Sequence, residues 1–122
     1  MFKRNVLLVT LVAVLAAAST SAFTPSYNTL TFGKAVALPG VTLPAGSYRF
    51  EIVNPAMNRD IVRVSSMRTG QVYFTRHTLR VERPHNMPRN QVVTFGEAAA
   101  GQPTPIRTWF PLDGGDGRGF VY

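Results

Sequence analysis

Apolar and polar residues alternate along most of the chain after position 22, and Pro or Gly interrupts the alternation about every ten residues. The clearest alternation is in 47–53 (SYRFEIV), where the aromatic and aliphatic side chains take one face and Arg49 and Glu51 take the other. No segment after position 22 has a helical period. This pattern predicts an all-β fold, a single small antiparallel β-sandwich or barrel of about seven strands.

Seven segments bounded by turn residues carry the predicted strands. They cover residues 29–37, 47–53, 60–66, 71–82, 91–97, 106–110 and 120–122. In the longest segment, 71–82, the even positions are apolar in the first half and the odd positions are apolar in the second half. A single strand with one buried face does not give that pattern, so a bulge or bend is predicted near Thr75 to His77. The terminal segment is expected to dock against the edge of a sheet.

The first 22 residues predict a cleaved signal peptide, with a helical apolar segment, ahead of the β fold. Lys3 and Arg4 precede the apolar run 6–18, and the small residues that follow offer a cleavage site after Ala22. A helix that crosses a bilayer needs about 20 apolar residues, and this run is shorter. The sequence therefore predicts a signal peptide at 1–22, one β domain at 23–122, a secreted or periplasmic location and no membrane span after cleavage.

The chain contains no cysteine, which excludes disulfides, thiolate nucleophiles, thiolate zinc sites and iron–sulfur clusters. His77 and His85 are the only histidines, and a zinc site would need both of them together with acids from distant loops. Asp113 and Asp116 lie in a glycine-rich stretch, but two aspartates leave most of a calcium shell unfilled, and Asp-Gly pairs favour turns. We therefore predict no metal and no cofactor.

The charge of the chain is strongly basic. Loss of Lys3 and Arg4 with the signal peptide takes two positive charges from a formal net charge of +7 and leaves +5. All the remaining basic residues except Lys34 are arginines, whose planar guanidinium group binds carboxylates and phosphates. The arginines are scattered, which argues against a nucleic-acid partner. Polymers of the cell envelope or the extracellular space are the candidate partners, and the alternative is that these arginines only line the solvent-facing sides of strands.

Glu97 is the acid with the most distinctive surroundings. The segment TFGEAAAGQPTPIRTWF places it between a predicted strand and a loop that returns with Arg107 and with Trp109, the only tryptophan. Residues that flank a hairpin loop face each other, so a structural ion pair between Glu97 and Arg107 is expected. Catalysis of glycoside hydrolysis would need a second carboxylate at a set separation, and none is close in sequence. Trp109 is expected in the core, with a sugar-stacking platform as the alternative.

Three segments, LPGVTLPAGSYRF, VVTFGEAAAGQPTPIRTWF and GRGFVY, resemble small exported β-rich proteins of soil Gram-negative bacteria. The shared layout is a signal peptide, an LPAG-x-Y turn, an F-x-E-x-x-x-G-x-P segment, a W-F strand and a terminal G-x-x-F-V-Y. The matching positions are Leu43, Pro44, Ala45, Gly46, Tyr48, Glu97, Gly101, Pro103, Trp109, Phe110, Phe120, Val121 and Tyr122. Gly119 stands where an acid is expected in relatives. The resemblance covers nearly all of 23–122 and implies an exported β-rich fold, with no established activity to transfer.

The sequence favours a non-enzymatic exported protein, a binding or envelope-associated β module. One alternative is a protein that binds carbohydrate or an anionic polymer through Trp109, Tyr73 and the arginines. The other is a hydrolase that uses Glu97 with a distant acid or histidine. No Gly-x-Ser-x-Gly segment is present, and no catalytic residue is assigned. The candidate site is a cluster of Glu97, Arg107 and Trp109, which either contacts a ligand or has a structural role.

Overall fold

The computed structural model describes residues 27–112 and 115–122, so the predicted signal peptide at 1–22 lies outside the described residues. Ten strands and no helix occur in the described part of the chain. No element within these two ranges is a helix long and apolar enough to cross a membrane. The strands are β1 (Tyr27–Phe32), β2 (Val36–Leu38), β3 (Val41–Leu43), β4 (Gly46–Asn54), β5 (Asn58–Ser66), β6 (Val72–His77), β7 (Leu79–Val81), β8 (Val93–Phe95), β9 (Thr104–Trp109) and β10 (Gly117–Gly119).

The strands form two sheets. Sheet 1 has the order β1-β4-β5-β6, with antiparallel neighbours throughout. Sheet 2 has the order β3-β2-β9-β10-β7, and β8 pairs with β9. The pair of β2 with β9 is parallel, which differs from the predicted purely antiparallel arrangement. The predicted all-β fold is confirmed, and of the two predicted architectures, sandwich or barrel, the two sheets of the described residues fit the sandwich. The described residues form ten strands instead of about seven.

Aromatic rings join the two sheets. Phe50 of β4 lies 5.8 Å from Trp109 of β9 and 6.5 Å from Phe120, measured between ring centroids. Phe74 of β6 lies 5.5 Å from Phe120 in an edge-to-face contact. Tyr48, Phe50 and Ile52, the alternating positions of the clearest predicted strand, are all buried. Complete burial of side chains of this size contributes about 1.5–3 kcal/mol each, so this layer is the main source of stability.

The predicted strand 29–37 is two strands in different sheets. β1 belongs to sheet 1 and β2 to sheet 2, and residues 33–35 between them lie outside both strands. Gly33 stands at this bend, with no atom within 4 Å of the position that a Cβ would take. The sequence pattern is apolar on both sides of the bend, and therefore does not reveal the change of sheet.

The predicted strand 71–82 also divides, into β6 of sheet 1 and β7 of sheet 2. The break is at Thr78, directly after the bend predicted at 75–77. The backbone nitrogen and the hydroxyl of Thr78 donate to the carbonyl oxygen of Asp60, at 2.8 and 2.6 Å. The inward face switches because the chain leaves one sheet and enters the other.

The last strand is predicted at 120–122, but the observed last strand is β10, which ends at Gly119. It pairs with both β7 and β9. Gly117 and Gly119 bring β10 close to its neighbours, because a Cβ on Gly117 would lie 2.6 Å from a ring carbon of Phe110. Phe120 follows, buried, with its backbone nitrogen donating to the carbonyl oxygen of Arg107 at 2.9 Å. The chain terminus therefore docks against β9 without forming a strand.

Candidate functional site

The structure places Glu97 and Arg107 at one pocket and Trp109 elsewhere. Glu97 and Arg107 are exposed and line an open pocket of about 550 Å³. Trp109 is fully buried in the core, and its indole nitrogen donates to Oδ1 of Asn28 at 2.9 Å. The same oxygen accepts the backbone N–H of Leu112 at 3.2 Å. Trp109 therefore packs the core and satisfies a buried amide, while the two charged residues face solvent.

Arg107 owes its outward position to a β-bulge. One step along β8, from Thr94 to Phe95, corresponds to two steps along β9, which makes Arg107 the extra residue. A bulge sets two residues of one strand against one residue of its partner and changes the direction of the side chains. Ile106 and Trp109 are consequently both fully buried although they are three residues apart, and Arg107 between them is exposed.

No ion pair within 4.0 Å joins Glu97 to Arg107, and both residues belong to the described part of the chain. The hairpin closes instead through a backbone hydrogen bond of 2.8 Å from Gly96 to Pro105. The carbon stem of Arg107 passes close over Gly96, where an added Cβ would lie 3.3 Å from Cγ of Arg107. Both charged groups therefore stand at the pocket without pairing to each other.

Phe95 forms a wall between this pocket and a second one. Its side chain is 46% exposed, and its ring packs edge-on against Phe32 at 6.4 Å between centroids. The second pocket has a volume of about 460 Å³ and is lined mainly by apolar groups, with Lys34 as its charged residue. We call the two adjoining pockets the Phe95 groove. Its lining residues are Thr31, Phe32, Gly33, Lys34, Ala35, Val36, Phe95, Gly96, Glu97, Thr104, Pro105, Arg107 and Tyr122.

Tyr122 fixes one end of the groove. Its hydroxyl lies 2.6 Å from the carbonyl oxygen of Ile106 and 2.9 Å from that of Ala37, so it ties the terminus to β9 and β2. Burial raises the pKa of Tyr122 to about 12, and the hydrogen bond to Ile106 offsets only part of that effect. The hydroxyl therefore stays protonated at neutral pH and acts as a hydrogen-bond donor, while much of the ring is exposed to solvent.

The predicted aromatic platform at Tyr73 lies at a different surface. Tyr73 and Tyr48 meet edge to face at 5.8 Å in a pocket lined by the LPAG turn and by residues 66–71. The hydroxyl of Tyr48 donates to the carbonyl oxygen of Pro44 at 2.5 Å, which explains the LPAG-x-Y spacing. Oγ of Ser66 accepts the backbone N–H groups of residues 68 and 69. The polar groups of this pocket thus mainly stabilise turns.

Sequence reasoning missed the buried Arg118. Its side chain is 3% exposed, and its Nε donates to the carbonyl oxygen of Arg59 at 2.7 Å and lies 3.9 Å from Oδ1 of Asp60. Arg80 contacts the same carboxylate at 3.2 Å. Asp60 therefore links β5 of sheet 1 to β7 and β10 of sheet 2. The two flanking glycines do not by themselves reveal its burial, because their close packing against β7 and β9 is visible only in the tertiary structure.

The potential metal ligands of the described residues are dispersed. No cluster of three or more histidine, aspartate or glutamate side chains within 27–112 and 115–122 could hold a metal ion. Asp113 lies outside the described residues, so the turn predicted there stays a prediction. The polar side chains of the described residues that line the groove are those of Glu97, Lys34, Arg107, Tyr122, Thr31 and Thr104.

Comparisons with protein-family models, with curated proteins and with solved structures found no match. The resemblance to exported β-rich proteins therefore stays a prediction.

Proposed function

We propose that this protein is an exported, non-enzymatic module that binds a polysaccharide bearing acidic groups in the Phe95 groove. The observation that carries the proposal is the half-exposed ring of Phe95 between two adjoining open pockets, with Lys34 in one and Arg107 in the other. An open surface that continues on both sides of an aromatic ring suits a segment of a chain. Small-molecule sites are usually clefts that enclose most of the ligand.

The groove offers the groups that a sugar chain needs. Phe95 and Tyr122 present ring surface to the apolar faces of the sugar units, and aromatic contacts add about 0.5–1.5 kcal/mol beyond the area that they bury. Arg107 is free of ion pairs in the described part of the chain, and its planar donors match a carboxylate or a sulfate group. Glu97 accepts hydrogen bonds from sugar hydroxyls.

Charge favours an acidic chain over a neutral one. Two cations and one acid line the groove, and the chain without residues 1–22 has a net charge of +5. A net positive protein attracts a polyanion from a distance and raises the association rate, and salt screens this attraction. Binding should therefore weaken as the ionic strength rises.

The groove gives no specific support to a hydrolase. Among the described residues that line it, Glu97 is the one with a carboxylate side chain. Glycoside hydrolysis commonly uses two carboxyl groups, about 5–9.5 Å apart on either side of the bond that breaks. A binding role for Glu97 therefore needs no second carboxylate side chain, whereas hydrolysis by this mechanism does.

Export follows from the pattern of residues 1–22 and has its own measurement. Intact mass spectrometry of the protein recovered from the medium or the periplasm of a bacterial host should give the mass of residues 23–122. A mass that includes residues 1–22 would contradict the export part of the proposal and would leave the groove to be tested separately.

Replacing Phe95 with alanine should weaken binding of a polyuronate by about tenfold, because the ring surface between the two pockets is lost. Arg107→Gln should weaken it by a similar factor and should reduce the salt dependence. Isothermal titration in low salt, with dextran as a neutral polymer, measures both effects. The matched control is Tyr27→Ala, since Tyr27 is a 40% exposed aromatic residue of β1 in the other sheet.

Glu97→Gln separates binding from hydrolysis in the same assay. Removal of an exposed negative charge beside Arg107 should leave the melting temperature unchanged and should strengthen polyuronate binding by up to about fivefold, as expected for a surface charge interaction. Release of reducing ends by the wild type that is lost in Glu97→Gln would establish the hydrolase instead. Equal affinities of Phe95→Ala, Tyr27→Ala and the wild type would contradict the assignment of the groove.

A further inference from the structure

Another concave surface lies beside the C-terminal end of β9 and shares no residue with the Phe95 groove. It has a volume of about 230 Å³ and is lined by Arg83, Arg89, Phe110, Pro111 and Leu112. We call it the arginine pocket. Among the described residues that line it, two are cations and none is an acid, which distinguishes it from the groove.

Arg83 is held in place by the loop that it closes. Its Nη2 donates to the carbonyl oxygen of Pro88 at 2.7 Å and to that of Gln91 at 3.2 Å. Its guanidinium carbon lies 5.3 Å from the centroid of the Phe110 ring. A guanidinium group has five N–H donors, so these bonds leave the donors on Nε and Nη1 for a ligand. The binding geometry is thus set before any ligand arrives.

The two cations of the pocket are Arg83 and Arg89. Neither Arg83 nor Arg89 takes part in an ion pair within 27–112 and 115–122. Arg89 also makes no hydrogen bond through its side chain to the described residues, so its donors are available. Two like charges at one small pocket repel each other, and a bound dianion would remove that repulsion.

We propose that the arginine pocket binds the phosphate group of a phosphate monoester. A phosphate monoester carries a charge near −2 at neutral pH, which matches two guanidinium groups, and its oxygens accept their paired N–H donors. The apolar wall of Phe110, Pro111 and the exposed Leu112 suits the organic part of the ester. The phosphate monoester belongs either to a lipid with a terminal phosphate, such as phosphatidic acid, or to a phosphorylated sugar, and both present the same dianionic group.

Arg89→Gln carries the test, because Arg89 makes no contact that the loop needs. Titration of the full chain with glycerol phosphate should show an affinity about tenfold lower for Arg89→Gln than for the wild type, given the strength of hydrogen bonds between charged groups. Arg83→Lys keeps the charge and loses the planar donors, and should weaken binding as much. Thermal melting of each variant checks that the loop stays folded.

Arg107→Gln is the matched control, as an exposed arginine without an ion pair that lines the other site. Arg107→Gln should bind glycerol phosphate with the wild-type affinity and polyuronate weakly. Arg89→Gln should bind glycerol phosphate weakly and polyuronate with the wild-type affinity. This crossed result tests the arginine pocket independently of the proposed polysaccharide function. Equal affinity of Arg89→Gln and the wild type for glycerol phosphate, or no binding by either, would overturn the proposal.

Binding measurements with three probes distinguish the possible sources of the phosphate. Binding to phosphatidylcholine vesicles that contain phosphatidic acid, lost in Arg89→Gln, would identify a lipid headgroup. Binding to glucose 1-phosphate without vesicle binding would identify a phosphorylated sugar. Inorganic phosphate that binds as tightly as glycerol phosphate would indicate free phosphate and would overturn the role of the apolar wall.

Discussion

Gly117→Ala is expected to lower the free energy of unfolding by about 1–3 kcal/mol or more, which is the usual cost of overpacking. The added Cβ would lie 2.6 and 2.7 Å from two ring carbons of Phe110 and 2.8 Å from Cγ2 of Thr108. Phe110 and Thr108 are themselves buried, and β10 is paired on both sides by β7 and β9, so neither partner can move away. Urea denaturation followed by the fluorescence of Trp109 measures the change.

Gly33→Ala is the control for this substitution. Gly33 has no atom within 4 Å of its Cβ position and lies in a bend between strands. Surface substitutions of this kind change stability by less than about 0.5 kcal/mol. Equal stability of Gly117→Ala and Gly33→Ala would show that β10 is not packed beneath Phe110 as described.

Trp109→Ala is expected to cost about 3–5 kcal/mol, as other large-to-small aromatic substitutions in cores do. Trp109 is fully buried, contacts the ring of Phe50 and satisfies the buried Oδ1 of Asn28. In a domain of this size each kcal/mol shifts the melting temperature by roughly 4–8 °C, so a fall of at least about 12 °C is expected. Far-UV circular dichroism is the measurement, since the variant contains no tryptophan.

Two further variants divide the effect of Trp109. Trp109→Phe keeps an aromatic ring in the core and loses the N–H donor, so it should cost less than Trp109→Ala. Leu79→Ala removes a large side chain that is 64% exposed and should have little effect. A wild-type melting temperature for Trp109→Ala would contradict the position of the indole between the sheets.

The candidate site was predictable in part. The nearness of Glu97 and Arg107 follows from hairpin topology, because residues beside the loop return to each other whatever the loop contains. The absence of an ion pair between them depends on the bulge at Arg107. No residue type near Arg107 predicts that bulge. Lys34 joins the groove only because β2 pairs in parallel with β9, far away in sequence.

The arginine pocket was harder to foresee. Arg83 and Arg89 lie in a segment that the sequence identifies as a loop, and nothing local indicates that Phe110 lies beneath Arg83. Arg118 presents the same difficulty, because an arginine between glycines looks exposed until the neighbouring strands are in place. Both depend on contacts between residues that are distant along the chain.

The sequence alone determined the all-β class and the inward face of β4, which carries Tyr48, Phe50 and Ile52. Alternation has a local cause, because successive side chains of a strand point to opposite faces. Only the tertiary structure decided which sheet each strand joins, where the chain changes sheets at Thr78, and which charged groups share a pocket. Strand pairing depends on partners far away in sequence, and a local period contains no information about them.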